Sequence, residues 1–150
     1  MIRGGVDSPL GPLRLAARDG ALLALDWAEA EPPEDPLLAE AAAQLSAYFE
    51  GRLRQFDLPL APKASAAGAR VLGAMLDIPF GETRTYGEIG AALKLPAQAV
   101  GQLCGANPIP ILIPCHRVLG ATSLGGYSGA GGVETKVRLL RHENAAGLLI

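Results

Sequence analysis

The chain is predicted to be an α+β protein, with a small N-terminal α/β unit of antiparallel strands and a mostly helical second domain containing a helix-turn-helix. Three observations predict this. Residues 1–27 alternate apolar and polar side chains between turn signals such as Asp7-Ser8-Pro9 and Asp19-Gly20, which is the period of half-buried strands. Beyond residue 68 the apolar residues recur at helical spacing instead. Finally, Thr85-Tyr86-Gly87-Glu88 has the Thr-x-x-Glu pattern of a capping box, and Leu95-Pro96 separates the helix it opens from a second short one.

Taken in order, residues 1–27 are expected to form two or three strands, followed by an acidic, proline-rich loop over 29–36. Leu38, Ala41, Ala42, Leu45, Tyr48 and Phe49 then share a helical face, and Gly51 stands where that helix would stop. Residues 56–60 are expected to return as one more strand. The domains are read as 1–60, a linker over 61–67, and 68–150. In the second domain, helices are expected over 69–76, 86–94 and 97–104. Three prolines in residues 107–114 forbid a helix there, and Ile109, Ile111, Leu112 and Ile113 demand burial, so an extended internal segment is expected. Six glycines between Gly120 and Gly132 make a flexible or closely approached loop. A last amphipathic helix covers 133–142.

Composition narrows the function. With 150 residues, 49% hydrophobic and 19% charged, the chain fits a folded protein rather than a disordered one. No apolar run approaches the roughly 20 residues that span a bilayer, and no secretory signal is read at the N-terminus. Two cysteines make no disulfide framework, so a reduced, cytoplasmic protein away from membranes is expected. The net charge is −2, but residues 1–60 carry five Arg/Lys against ten Asp/Glu and residues 61–150 carry eight against five. Any polyanion should therefore meet the second segment. Two cysteines and two histidines without a Cys-x-x-Cys pair do not supply a metal site. No phosphate-binding glycine motif is present, and no cofactor is expected.

The chemical signal is Cys115 beside His116, with Pro114 fixing the approach and a glycine-rich loop following. A thiol of pKa about 8.5 is mostly protonated at neutral pH, and a neighbouring base makes it a soft nucleophile. His142 next to Glu143 adds a second imidazole and a carboxylate that could orient one. The same parts would serve a Cys-His hydrolase, and an isolated Cys-His pair is also compatible with a buried structural cysteine. Tyr86 can donate a phenolic proton or simply pack, while Cys104 and Trp27 read as core residues.

The run from Asn107 through Pro114-Cys115-His116-Arg117-Val118, then Gly126-Tyr127-Ser128-Gly129 and Leu139-Leu140-Arg141-His142-Glu143, resembles the O6-alkylguanine-DNA alkyltransferases. Gly81 to Tyr86 and Ser8-Pro9-Leu10-Gly11-Pro12 extend the likeness over nearly the whole chain. The resemblance implies direct-reversal DNA repair, in which an alkyl group moves once from O6-alkylguanine, with O4-alkylthymine left open, to Cys115. It implies that His116 takes the thiol proton through a water, Glu143 orients His116, Asn107 forms a hinge and Tyr86 donates a proton toward the leaving base. Val118, Ser128, Tyr127, Pro110 and Gly129 would surround the flipped base. The second short helix, with Ala97, Gln98, Ala99 and Gln102, would lie in the minor groove of double-stranded DNA, with Arg117 also on DNA and the protein acting as a monomer. The family usually has arginine where Gln98 stands and small residues where Gln102 and Leu103 stand. The alternative is an alkyltransferase-like protein that binds the lesion, transfers weakly or not at all, and signals to other repair pathways.

Overall fold

A computed structural model describes residues 1–146; residues 147–150, the end of the predicted second domain, lie outside the described residues. The chain divides into two compact units, Met1–Lys63 and Ala64 onward.

In the first unit, β1 (Ile2–Val6), β2 (Leu13–Arg18) and β3 (Ala21–Asp26) form an antiparallel sheet in that order. The β2–β3 turn is tight because Asp19 and Gly20 both take positive φ, the conformation that such turns demand. Leu13, Leu15, Leu22 and Leu25 are buried. Helix α1 (Pro36–Phe49) is capped by Asp35, whose side chain accepts from the Leu37 and Leu38 amides, and it buries Leu38, Ala41, Leu45 and Tyr48. The strand expected over 56–60 is absent. Only a parallel bridge between Leu22 and Leu60 forms there, because Pro59 and Pro62 offer no N–H to extend a ladder.

The second unit begins with α2 (Ala66–Leu76), capped by Ser65. It therefore starts inside the segment expected to be linker, because the Ser65 hydroxyl accepts the Gly68 amide at 3.0 Å and fixes the first turn there. Next come β4 (Arg84–Thr85), α3 (Tyr86–Leu93) and α4 (Ala97–Gly105). The capping box is complete, with Glu88 N–H donating to Thr85 Oγ1 at 3.0 Å and Thr85 N–H donating to Glu88 Oε1 at 2.9 Å. The turn between α3 and α4 closes over Gly90, where a Cβ would collide with the Leu95 carbonyl oxygen; only glycine permits that approach. Lys94 ends α3 in the left-handed region, at φ 60° and ψ 46°.

Residues 107–114 are buried except for half-exposed Pro108, but they are not extended throughout. Ile111 has φ 72°, and the Ile113 amide donates to the Ile109 carbonyl at 2.9 Å. Asn107 imposes this pinch: its amide group donates to the Ile113 carbonyl and accepts from the Ile109 N–H. One turn of 3-10 helix, Cys115–Arg117, follows, then β5 (Val118–Leu119), which pairs in parallel with β4. Helix α5 (Val133–His142) closes the unit and buries Lys136, Leu139 and Leu140.

A left-handed position at a helix end favours glycine over a residue with a Cβ. Lys94→Gly is therefore expected to raise unfolding stability by about 0.5–1 kcal/mol, read as a higher urea midpoint with an unchanged slope.

Candidate active site

Cys115 opens the 3-10 turn, and its thiol is buried at the floor of a cavity of about 760 Å³ within the second unit. The cavity is walled by α4 on one side and the glycine-rich loop on the other, with Tyr86 at the start of α3 between them. Of the residues expected to meet substrate or DNA, Tyr86, Tyr127, Ser128, Ala97, Gln98 and Gln102 line this cavity together with Cys115. Ala99 is half-buried on α4, and Gly129 is half-buried in the loop; neither lines the cavity.

Behind the thiol lies a buried polar network. His116 Nε2 meets Glu143 Oε2 at 2.8 Å, with both side chains fully buried. Arg117 Nε donates to Glu143 Oε1 at 2.8 Å, Arg117 Nη2 to Oε2 at 2.9 Å, and Arg117 Nη1 to the Ile78 carbonyl at 2.6 Å. A fork donating to both oxygens of one carboxylate is the strongest form of ion pair available to these side chains. Burial lowers the His116 pKa from its ordinary value, against the pull of Glu143, so the imidazole is neutral at neutral pH. An ionised carboxylate can only accept; Nε2 therefore carries the hydrogen and Nδ1 keeps a lone pair. Nδ1 has no hydrogen-bond partner among the described residues, which leaves it available as a base.

One expectation is corrected here. Arg117, expected on DNA, is an internal residue whose side chain is only 8% exposed and is consumed by Glu143 and Ile78. Pro110 is buried beside the cysteine segment and bridged to Ile113. Val118 is also already engaged, its carbonyl accepting from Lys136 Nζ at 2.6 Å.

Burial pushes the Cys115 thiol pKa up, while a hydrogen bond from the Asn107 side chain and the charge of Lys136 pull it down. Tyr86 is half-buried, and desolvation raises its pKa, so it is protonated at neutral pH and able to donate. The loop lies directly on it: a Cβ on Gly125 would stand 2.6 Å from the Tyr86 hydroxyl oxygen. Sequence reasoning missed two residues. Cys104, taken as core, lines the cavity as well as being buried, and its pKa is pushed up to about 12. Lys136 was overlooked, although a lysine three and four residues before Leu139 and Leu140 falls in the apolar stripe of α5 and could have been noticed on that ground.

Breaking a buried ion pair leaves an uncompensated charge at a cost of about 3–5 kcal/mol. Arg117→Met should lower unfolding stability by that amount in urea titrations. Its DNA affinity should keep the wild-type slope against log salt; a slope reduced by about one would place Arg117 on a phosphate after all.

Two domains of one family match the chain. The 6-O-methylguanine DNA methyltransferase ribonuclease-like domain matches residues 1–62, and the DNA binding domain of the same methyltransferases matches residues 66–145. Methylated-DNA–protein-cysteine methyltransferases of Mycobacterium bovis and Methanosarcina barkeri are each 43% identical to it; the alignments cover 93% and 92% of this chain and 90% and 94% of theirs. Among solved structures, Mycobacterium tuberculosis OGT in complex with DNA is similar at 43% identity and TM-score 0.85, over 95% of this chain and 92% of the other. The Methanococcus jannaschii O6-methylguanine DNA methyltransferase is similar at 27% identity and TM-score 0.69, over 93% and 92%. A thiol at the floor of a cavity, backed by a neutral imidazole and walled by a helix-turn-helix, thus occurs in a chain that belongs to the 6-O-methylguanine DNA methyltransferase family.

Proposed function

We propose that Cys115 is the alkyl acceptor of a single-turnover repair reaction on O6-alkylguanine swung out of double-stranded DNA. The family activity, direct reversal of DNA alkylation by transfer to a protein cysteine, is this chain's activity; the assignment of roles is the new step. One observation carries it: the only cavity-lining cysteine next to a base is Cys115, with the Nδ1 lone pair of neighbouring His116 unclaimed among the described residues.

The O6 atom of a stacked guanine cannot be reached in a duplex, so the nucleotide must flip, at a cost of a few kcal/mol. On this reading the base enters between α4 and the loop, against Tyr127 and Ser128. His116 Nδ1 receives the thiol proton through a water, and Glu143 holds the imidazole in the required tautomer. The sulfur then attacks the alkyl carbon. A carbon–sulfur bond forms, the carbon–O6 bond breaks, and the guanine leaves as a neutral base once Tyr86 donates a proton toward its ring. A thioether is stable, so the protein is spent. Asn107 serves as the hinge that ties α4 to the cysteine segment, and it hydrogen-bonds the thiol. The Val118 carbonyl keeps a second lone pair for the base edge, and Gly129 shapes the loop beside Ser128. Ala97, Gln98, Ala99 and Gln102 present α4 to the minor groove. The protein acts as a monomer in the cytoplasm. No helix among the described residues is long and apolar enough to cross a membrane.

Intact-mass measurement after incubation with duplex DNA carrying O6-methylguanine is expected to show a gain of one methyl, carried by the peptide containing Cys115 and lost in Cys115→Ala. Lesion binding without mass gain would favour a signalling relative instead. Gln98 is exposed at the first turn of α4 and lines the cavity mouth, where an arginine would fill the vacated stack more fully and add a charge. Gln98→Arg is therefore expected to speed methyl transfer from duplex DNA more than reaction with free O6-alkylguanine base. An equal response of both substrates would remove Gln98 from the flipping step.

A further inference from the structure

Lys136 is a fully buried cation that the reaction just described does not use. It stands on the inward face of α5, with Leu139 and Leu140 buried one turn on. Its Nζ donates to the Val118 carbonyl at 2.6 Å and to the Gly126 carbonyl at 3.0 Å, and lies 5.7 Å from the centroid of the Tyr86 ring. Among the described residues no carboxylate lies within ion-pair distance of it, and the nearby buried acid, Glu143, is engaged with Arg117 and His116. An ammonium taken out of water costs several kcal/mol, which two carbonyl dipoles and an aromatic face offset only in part.

The ionisable groups around it are few. Cys115 and His116 face it from the 3-10 turn, Cys104 from α4 and Tyr86 from α3; Tyr127 follows Gly126 in the loop, and Glu143 lies behind His116, paired with Arg117. Burial lowers Lys136 to about 8, and the charges of Cys115 and Cys104 act to raise it, so it is protonated at neutral pH. Of these groups, the thiol of Cys115 is the one that the reaction requires as an anion.

We propose that Lys136 is a positioning residue: its ammonium is the counter-charge of the Cys115 thiolate, and its two carbonyl bonds hold the loop bearing Tyr127 and Ser128 against the cavity. The inference rests on Cys115 being the alkyl acceptor. An opposite charge nearby favours the ionised form of an acid. Val118 follows the cysteine turn directly and Gly126 directly precedes Tyr127. One ammonium thus joins the nucleophile side of the cavity to its loop wall, and loop order and thiol ionisation depend on the same atom.

The test compares Lys136→Met, Lys136→Gln and Lys136→Arg with the wild type. Iodoacetamide modification of Cys115, located by peptide mass, is followed from about pH 6 to about pH 10 without DNA. Methyl transfer from duplex O6-methylguanine is followed at neutral pH. The expected result is a midpoint raised by about one pH unit or more in both Met and Gln variants, with methyl transfer slowed about tenfold. The Arg variant, which keeps the charge, should stay near the wild-type midpoint. An unmoved midpoint in Lys136→Met overturns the proposal, and so does full recovery by Lys136→Gln, which keeps hydrogen bonding without charge. Should Lys136→Met fail to fold, the contrast between the Gln and Arg variants decides. Failure of the wild type to gain a methyl would strike the acceptor reading alone, because the iodoacetamide midpoints report on Lys136 without any DNA substrate.

Discussion

The Glu143 carboxylate, fully buried just beyond α5 and gripped by Arg117 and His116, is the constraint on which the second unit's chemistry depends. Two residues of one 3-10 turn converge on a single acid from a distant part of the sequence, so the turn cannot rotate without stranding a charge. The third residue of that turn is Cys115. Its direction into the cavity is therefore fixed by neighbours that never touch the substrate. The Ile78 carbonyl, accepting from the same guanidinium at 2.6 Å, extends the constraint to the segment after α2. Arg117 is thus structural in the strict sense: its fork neutralises the carboxylate that would otherwise raise the His116 pKa further. With Arg117 present, Glu143 can orient the imidazole while burial keeps it neutral.

Burial works against the thiol. A cysteine hidden in a cavity resists ionisation, and a sulfur nucleophile must be a thiolate. The site answers this conflict with several small contributions rather than one large one: an Asn107 hydrogen bond, the Lys136 charge and an available imidazole nitrogen. Cys104, which also lines the cavity, is pushed up to about 12 and stays protonated.

The parts of this design that were legible in the sequence are those specified by local rules. The capping box at Thr85, the turn at Lys94-Leu95-Pro96 and the period of α5 each follow from the chemistry of a few adjacent residues, and the observed elements start or stop where those signals stand. What escaped depends on long-range partners. Nothing local to Arg117 distinguishes a guanidinium on DNA from one paired with an acid 26 residues later. Nothing local to Ile111 announces a left-handed backbone, because the cause is an Asn107 side chain bonding two groups across the turn. The strand expected over 56–60 failed for a different reason: its apolar pattern was right, but Pro59 removes a donor from the ladder. The family resemblance brought Cys115, His116 and Glu143 together where spacing alone left a structural cysteine and a hydrolase open.

The internal placement of Arg117 and Lys136 changes the electrostatics of DNA binding. Residues 61–150 carry eight cations and five acids by sequence, but with Arg117, Lys136 and Glu143 buried, six cations and four acids remain to act at the surface. Counterion release scales with the phosphates that surface cations neutralise, so charge alone gives this unit little hold on a duplex. On the proposed reading the remainder comes from shape. The α4 face offers Ala97, Gly101 and Gly105, small enough for close approach to a groove floor, with uncharged Gln98 and Gln102 as its polar members. A binder built this way gains little from an undamaged duplex and most where a weakly paired base leaves the stack at low cost. Under the proposed function, discrimination resides in the flipping equilibrium and in the fit of the cavity, both of which precede the chemistry at sulfur.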